Sequence, residues 1–442
     1  MARIVKQPVI GIYIFLFLSS ITMAPNFPIV GDRLAFADFV MGFTILAAWA
    51  QGRPRQVEPR LRQVELFADI LIALCTVSSL LALLVGGDPV RVFLFMAIYL
   101  YGYVVFKTIV RHVDDVEKFK MACLAWGLGA ALVIVVGFLA STGIYKPAWT
   151  FDAKINRISA TMKDSGQVAS YIAPALLLYV YVATSQQIKP IYRIAAIGLC
   201  GMAVVVLLGT GSRISFVMLL FFVAYVGFVS LTGKRRISRA PVILFLAAVL
   251  IGGGSYVVSV WSDTSEEYGL LTTSPFERAI KMLSMQTRQG LGVPTSLLEQ
   301  YGGTRYEEIS TALEHFPESP MFGVGSGMFS QTFKTNEVHN SAFALLIENG
   351  LFAFLFFCLW WAAIVMLLIG CRRHARSSQL KFVYSLAIGV VLVFLLYQMT
   401  TNGLRQRPFW FVPALALCSA RLLRTEEQPK PDTAGMVVAA AR

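Results

Sequence analysis

The stretch SAFALLIENGLFAFLFFCLWWAAIVMLLI, residues 341–369, decides the fold of this chain. It is apolar almost throughout, and it is long enough to make an interfacial turn and then cross the roughly 30 Å hydrocarbon core of a bilayer as a helix. Apolar stretches of comparable character recur on both sides of it. The chain is therefore predicted to be an all-α protein that crosses a membrane many times.

The composition supports this prediction along the whole sequence. Hydrophobic residues make up 57% of the 442 residues and charged residues only 14%, whereas soluble domains carry about 25% charged residues. We predict about twelve transmembrane helices. They are 9–25, 34–50, 66–85, 90–110, 121–140, 167–184, 191–208, 213–231, 241–261, 341–369, 382–400 and 408–423.

The basic residues predict the orientation of these helices. Most of the 38 Lys and Arg residues fall on alternate connections, such as Arg53–Arg62, Lys107–Lys120, Lys234–Arg239 and Arg372–Lys381. Because cytoplasmic loops are enriched in Lys and Arg, both termini are predicted to be cytoplasmic. The net charge of +13 follows from this bias, and its short clusters do not indicate a nucleic-acid partner.

The apolar pattern divides the chain into four parts. Residues 1–262 hold predicted transmembrane helices 1–9, and 263–338 form one large loop on the non-cytoplasmic side. Within this loop the spacing predicts short helices at Ser274–Gln289 and Thr304–His315. Residues 339–424 hold transmembrane helices 10–12, and the polar segment 425–442 is predicted to be a disordered cytoplasmic tail.

Metal and cofactor motifs are absent from the sequence. The six cysteines lie within or beside predicted spans and form no CxxC pair, so they read as buried apolar residues. No Walker, GxGxxG or His-Glu-x-x-His pattern stands in a suitable context. We therefore expect neither a metal nor a cofactor.

Charged residues at the predicted non-cytoplasmic boundary are the candidates for chemistry. His339 joins the large loop to a membrane helix, where a histidine can accept a proton from an alcohol. Arg213, in a very short connection, can bind an anion at the start of the next helix. Arg305 and Arg405 lie on the same side. Each also has a purely structural interpretation, as a snorkelling anchor, a solvated charge or an interfacial histidine that binds a backbone carbonyl.

Taken in order, short motifs resemble those of the O-antigen ligase and O-antigen polymerase family of bacterial membrane glycosyltransferases. Each motif pairs a charged residue with glycines or a turn. They are Leu208-Gly209-Thr210-Gly211-Ser212-Arg213; Arg305 followed by Pro320-Met321-Phe322-Gly323-Val324-Gly325; Val338-His339-Asn340-Ser341 followed by Glu348-Asn349-Gly350; and Arg157 with Asp164-Ser165-Gly166. The last departs from the family pattern, in which an Asn-bearing dipeptide is commoner at that turn. The first 140 residues match only as generic spans.

This resemblance implies a GT-C-like helical fold in the bacterial inner membrane, with the 263–338 loop in the periplasm. It implies transfer of a glycan from undecaprenyl diphosphate to an acceptor glycan or lipid A core, without a metal and with inversion. His339 would be the catalytic base, and Arg213 and Arg305 would bind the diphosphate. Arg157, Asn340 and Arg405 are further candidates, and other polysaccharide-assembly membrane proteins are expected partners.

The residues leave two questions open. Within the family, a polymerase of repeat units and a ligase acting on lipid A core are both compatible with the motifs, and the lack of any feature pointing to lipid A favours the polymerase slightly. Outside it, a secondary transporter or flippase fits twelve spans equally well. Transporters, however, place binding residues at mid-membrane on broken helices, whereas the informative charges here lie at one face.

Overall fold

The computed structural model describes residues 7–22, 35–51, 59–145, 147–152, 157–210, 212–232, 304–334 and 337–423. Within these ranges the chain is helical apart from one short antiparallel pair, β1 (Phe151–Asp152) and β2 (Arg157–Ile158). The helices are α1 (Pro8–Leu18), α2 (Phe36–Ala50), α3 (Pro59–Leu84), α4 (Pro89–His112), α5 (Val116–Ser141), α6 (Ser165–Thr184), α7 (Pro190–Gly209), α8 (Arg213–Thr232), α9 (Thr304–His315), α10 (Phe329–Thr332), α11 (Ser341–His374), α12 (Ser378–Gln398) and α13 (Arg407–Cys418), with short 3₁₀ turns at Ala148–Thr150, Phe316–Glu318, Gly403–Arg405 and Ser419–Leu423.

The predicted helical membrane class is confirmed. Seven helices, α3 to α7, α11 and α12, are long and apolar enough to cross a bilayer. Three shorter apolar helices accompany them, namely α1, α2 and Ile214–Ser230 of α8, and α13 is shorter still. The total of twelve spans stays a prediction, because the segment 241–261 lies outside the described residues. The predicted helix Ser274–Gln289 and the tail 425–442 lie outside them as well.

Several helices extend beyond the apolar segments that predicted them. Helix α3 begins at Pro59 rather than residue 66, and α11 continues to His374 rather than 369. The added turns carry charged residues, which can continue the backbone hydrogen bonds of a helix while their side chains reach water or headgroups. The short helix predicted at Thr304–His315 is present with those bounds.

Helix α13 lies inside the bundle. All ten of its residues from Phe409 to Cys418 are buried, and its aromatic rings pack against those of α11, with the Trp360 and Trp410 centroids 5.9 Å apart. Gly102 of α4 lets Trp410 approach, because a Cβ there would lie 2.1 Å from the indole Nε1. A helix enclosed by protein does not need the length of one that spans lipid alone.

Ion pairs stabilise the end of the bundle where α3 begins and α4 ends. Lys107 Nζ lies 2.7 Å from both Glu65 Oε2 and Asp69 Oδ1. Arg421 donates to the carbonyl oxygens of Val110 and Val113 at the C-terminus of α4, where a cation also compensates the helix dipole. Asp69 therefore has a structural partner on the neighbouring helix.

Candidate active site

A cavity of about 630 Å³ opens at the other end of the bundle. It lies where α1 ends and where α4, α6, α11 and α13 begin, so residues far apart in the sequence share its wall. Phe95, Tyr171 and Trp410 contribute apolar surface. The polar and charged side of the wall includes Asp38, Lys163, Glu337, His339, Asn402, Arg405 and Arg407. Its volume is that of a typical small-molecule site.

His339 lines this cavity and is exposed, directly before the N-terminus of α11. The next residue, Asn340, caps that helix: its Oδ1 accepts from the backbone N–H groups of Ala342 and Phe343 at 2.9 and 3.1 Å. Its Nδ2 donates to the carbonyl oxygen of Met399 at 2.8 Å. Asn340 thus fixes the position of His339 and binds the α12–α13 connection. Its side-chain oxygen and nitrogen are both bonded to backbone groups of the protein.

Ser341 also binds the α12–α13 connection to the start of α11. Its Oγ lies 2.6 Å from Gln398 Oε1 and 2.8 Å from the carbonyl oxygen of Thr401, and it accepts from the Gly403 N–H at 2.8 Å. The stretch 339–341 and the turn 399–403 therefore form one hydrogen-bonded unit. The sequence motif gave no indication of this partner, because it lies about sixty residues downstream.

Arg405 lies at the centre of a charge cluster in the cavity wall. Its guanidinium pairs with Glu337 at 2.5 Å and with the buried Glu348 at 3.3 Å, and it stacks 3.9 Å from the centroid of Phe95. Arg91 pairs with Glu337 on the other side at 3.0 Å. Burial lowers the pKa of Arg405, but the charges of Glu348 and Glu337 outweigh it and raise the pKa above the ordinary value. Arg405 is a permanent cation with two carboxylate partners.

Arg407 and Asp38 form a second pair in the wall. Arg407 Nε donates to Asp38 Oδ1 at 2.7 Å, and the hydroxyl of Tyr101 donates to the same oxygen at 2.9 Å. Both ionic side chains are largely buried, at 16% and 7% exposed. The pair joins the start of α2 to the start of α13 and contributes no net charge to the cavity.

Two of the sequence motifs bind each other through their backbones. Helix α11 is interrupted at Gly350, whose φ is +83°. The N–H groups of Val324 and Gly325 donate to the carbonyl oxygens of Ile347 and Glu348 at 3.0 and 2.7 Å. The stretch 320–325 thus fills the break in α11 and fixes the side chain of Glu348 next to Arg405.

Thr210, at the start of the 210–213 turn, is bonded to residues of the helices on both sides of that turn. Thr210 Oγ1 donates to the carbonyl oxygen of Leu207 at 2.7 Å and lies 2.8 Å from Ser215 Oγ. Strand β2 runs beside this turn, because Ile158 packs against Gly209 so closely that a Cβ on the glycine would lie 2.4 Å from its side chain. The backbone therefore brings two of the family-like motifs together.

The six predicted site residues fall into two groups. His339 and Arg405 share the cavity wall, and Asn340 caps α11 directly after His339. The side chains of Arg157, Arg213 and Arg305 lie outside the described part of the structure, so their convergence on His339 stays a prediction. Sequence reasoning missed Glu337 and Arg91 as members of the site. The sequence showed only that these charged residues lie close to predicted membrane boundaries, and that position does not identify their partners.

Bundle and cavity together define a multi-pass helical membrane protein with a polar and charged pocket at one end of its helices. Residues 197–358 match the family model described as O-antigen ligase, which is somewhat more than a third of the chain. This segment runs from α7 into α11 and includes the 210–213 turn, the large loop and His339. The resemblance to the O-antigen ligase family that the motifs predicted is thereby confirmed. The chain matches none of the curated proteins.

Proposed function

We propose that this protein is a glycosyltransferase of the bacterial inner membrane that moves a glycan from undecaprenyl diphosphate to an acceptor hydroxyl at the periplasmic face. One observation carries the proposal. His339, inside the segment that is similar to O-antigen ligases, lines a cavity of about 630 Å³ with polar and charged side chains on one side of its wall. Membrane glycan transfer of the O-antigen ligase type is the function that the family match supports in general.

His339 acts as the general base in this proposal. It removes the proton from the acceptor hydroxyl while the oxygen attacks the anomeric carbon of the donor. The bond between that carbon and the diphosphate oxygen breaks, and the electron pair leaves with undecaprenyl diphosphate. Direct displacement inverts the configuration at the sugar carbon.

The balance of charges in the cavity wall indicates which residues can stabilise the diphosphate leaving group. The cluster of Arg405 and Arg91 with Glu337 and Glu348 has no net charge, and neither has the Arg407–Asp38 pair. The increasing negative charge on a diphosphate needs unbalanced cations in a region of low dielectric. We assign diphosphate binding to Arg213 and Arg305, as the family resemblance implies, with Arg157 as a third candidate and no metal.

Arg405 and Asn340 position the site in this proposal. Arg405 holds Glu337 two residues before His339, and Asn340 fixes the first turn of α11 directly after it. Both act through other residues. Arg405 can still approach a substrate, since it lines the cavity.

The broken helix α11 argues against the transporter alternative. In transporters a helix break exposes backbone groups to an ion or substrate. Here the carbonyl oxygens of Ile347 and Glu348 are bound by backbone N–H groups of 324 and 325, and Leu351 N–H donates to Pro320 at 2.8 Å. The break therefore offers protein contacts in place of an ion site.

The remaining assignments follow the sequence. Both termini are proposed to be cytoplasmic, 1–262 and 339–424 to form the membrane domain, and 263–338 to form the periplasmic loop that selects the acceptor. A polymerase of a secreted or surface polysaccharide and a ligase onto lipid A core are both consistent with the site. Other polysaccharide-assembly proteins of the membrane are proposed partners.

Deletion of the gene, followed by gel analysis of surface glycans, tests the proposal in the cell. Loss of long chains that leaves single repeats on the core indicates a polymerase, whereas long chains that remain on the lipid carrier indicate a ligase. Unchanged glycans together with altered solute uptake would contradict glycan transfer and support the transporter.

His339→Ala tests the catalytic base in the same strain and in proteoliposomes. Loss of a general base lowers the rate by about 10²- to 10⁴-fold. His374→Ala is the matched control, because His374 is exposed at the opposite end of α11 and its Nδ1 lies 2.8 Å from the Gly370 carbonyl oxygen. Normal transfer by a well-expressed His339→Ala protein would remove this residue as the base.

A further inference from the structure

Asn402 has an unsatisfied side chain in the wall of the cavity. It lies in the connection between α12 and α13. Its Oδ1 and Nδ2 are both shielded from solvent, and neither has a hydrogen-bond partner among the residues that the structure describes. A buried donor or acceptor without a partner costs about 1–3 kcal/mol. A ligand in the cavity can become that partner when rotation about the side-chain torsions of Asn402 turns the amide toward it.

The backbone on both sides of Asn402 is fixed. The carbonyl oxygen of Thr401 and the N–H of Gly403 each lie 2.8 Å from Ser341 Oγ. A Cβ at Gly403 would lie 2.0 Å from Oε1 of the buried Gln398, so the backbone packs closely against that side chain. Because Ser341 follows His339 by two residues, these hydrogen bonds hold Asn402 and the proposed base in the wall of the same cavity.

The chemistry of a side-chain amide suits neutral polar ligands. It presents an acceptor oxygen and a donor N–H₂ on neighbouring atoms. Adjacent hydroxyls of a sugar ring likewise offer a donor and an acceptor side by side. Because Asn402 carries no charge, it adds nothing to the neutralisation of a diphosphate, and its partner is expected on the uncharged acceptor.

We propose that Asn402 determines acceptor specificity by hydrogen-bonding the sugar hydroxyl next to the one that His339 deprotonates. This inference rests on the proposed function, since it needs an acceptor sugar in the cavity. It assigns recognition to the α12–α13 connection in addition to the large loop.

Transfer kinetics with modified acceptors test the inference. The full-length protein in proteoliposomes is given its lipid-linked glycan and an acceptor oligosaccharide released from the host's own surface glycan. A second set of acceptors has single hydroxyls replaced by hydrogen. We expect one of these deoxy acceptors to react more slowly than the parent with the wild-type protein.

Asn402→Ala should lower kcat/KM for the parent acceptor by about 5- to 150-fold, the loss expected for one or two hydrogen bonds. The loss should fall mainly on the KM of the acceptor, while the KM of the lipid-linked donor is unchanged. Asn402→Ala should also lose no further rate with the deoxy acceptor that the wild-type protein disfavours, because both changes remove the same contact. Asn402→Asp keeps the acceptor oxygen and loses the donor, so its kcat/KM for the parent acceptor should lie between those of the wild-type protein and Asn402→Ala.

Gln379→Ala is the matched control, because Gln379 is a half-buried amide at the other end of α12 that donates to Gln187 Oε1 at 3.0 Å. A wild-type protein that uses all deoxy acceptors as well as the parent would overturn the inference without any variant. If Asn402 has only a structural role, Asn402→Ala should lower the thermal stability of the protein and should lower kcat by the same factor for every acceptor. That result would also overturn the inference. No transfer by the wild-type protein would overturn the proposed function as well, whereas an active wild type with an inactive His339→Ala leaves that function standing.

Discussion

Removal of the guanidinium of Arg405 should destabilise the protein strongly, because it leaves a buried carboxylate without its cation. Glu348 is 3% exposed and lies 3.3 Å from Arg405 Nη2, and its other oxygen, Oε2, has no hydrogen-bond partner in the described part of the chain. Breaking a buried ion pair by removing one partner costs about 3–5 kcal/mol. Because Arg405 itself remains 15% exposed, we expect Arg405→Met to cost about 3 kcal/mol, at the lower end.

An exposed ion pair provides the control. Lys120 and Glu117 are only 2.6 Å apart, but their side chains are 62% and 79% exposed. Water and salt screen such pairs, so Lys120→Ala should cost less than about 1 kcal/mol, although its pair is shorter than the 3.3 Å pair of Arg405 with Glu348. The comparison separates burial from distance as the origin of the effect.

SDS titration of the purified protein in mixed micelles measures both free energies of unfolding. A second change, Glu348→Gln, removes the uncompensated charge, so the double variant with Arg405→Met should regain about 1 kcal/mol or more of the loss. The reasoning would be refuted if Arg405→Met cost no more than Lys120→Ala. It would also be refuted if Glu348→Gln gave no recovery in the Arg405→Met background.

Three further expectations follow from the backbone and the charges. Gly350→Ala should strongly destabilise the protein in the same titration, because a Cβ there would lie 2.0 Å from the carbonyl oxygen of Met321 at a φ of +83°. Gly370→Ala, in the same helix with open space around it, should be neutral or stabilising by up to about 1 kcal/mol. Arg213→Lys and Arg305→Lys should each lose much of the transfer rate in proteoliposomes, since lysine lacks the bidentate fork; unaltered turnover in both would reject their assignment to the diphosphate. EDTA should leave transfer unchanged, and a loss restored by Mg²⁺ or Mn²⁺ would contradict the metal-free mechanism.

The membrane class and the helices could be predicted because they depend on local properties. Apolar length alone placed a helix at the eleven predicted spans that fall in the described part of the chain, and the spacing of Thr304–His315 gave its bounds. The central position of α13 was not predictable in this way. Its burial depends on contacts with α4 and α11 rather than on a longer apolar run.

Motifs identified candidate residues without their partners. The stretch Val338-His339-Asn340-Ser341 indicated a seam between loop and helix, and His339 does line the cavity there. That Asn340 and Ser341 bind the 399–403 turn is a long-range pairing, and no local pattern encodes it. The same holds for Asp38, whose partner Arg407 lies 369 residues away.

The sequence by itself determined that the chain is helical and made for a bilayer, since hydropathy over some twenty residues is enough to require backbone hydrogen bonds within each segment. It also fixed the resemblance to O-antigen ligases, because those motifs are short and ordered along the chain. Only the tertiary structure decided which charges neutralise one another. In the sequence Arg405 has no acidic neighbour that would predict an ion pair, yet in the structure it pairs with Glu337 and Glu348. Ion pairing depends on distances of a few ångströms between helices, which the sequence does not give.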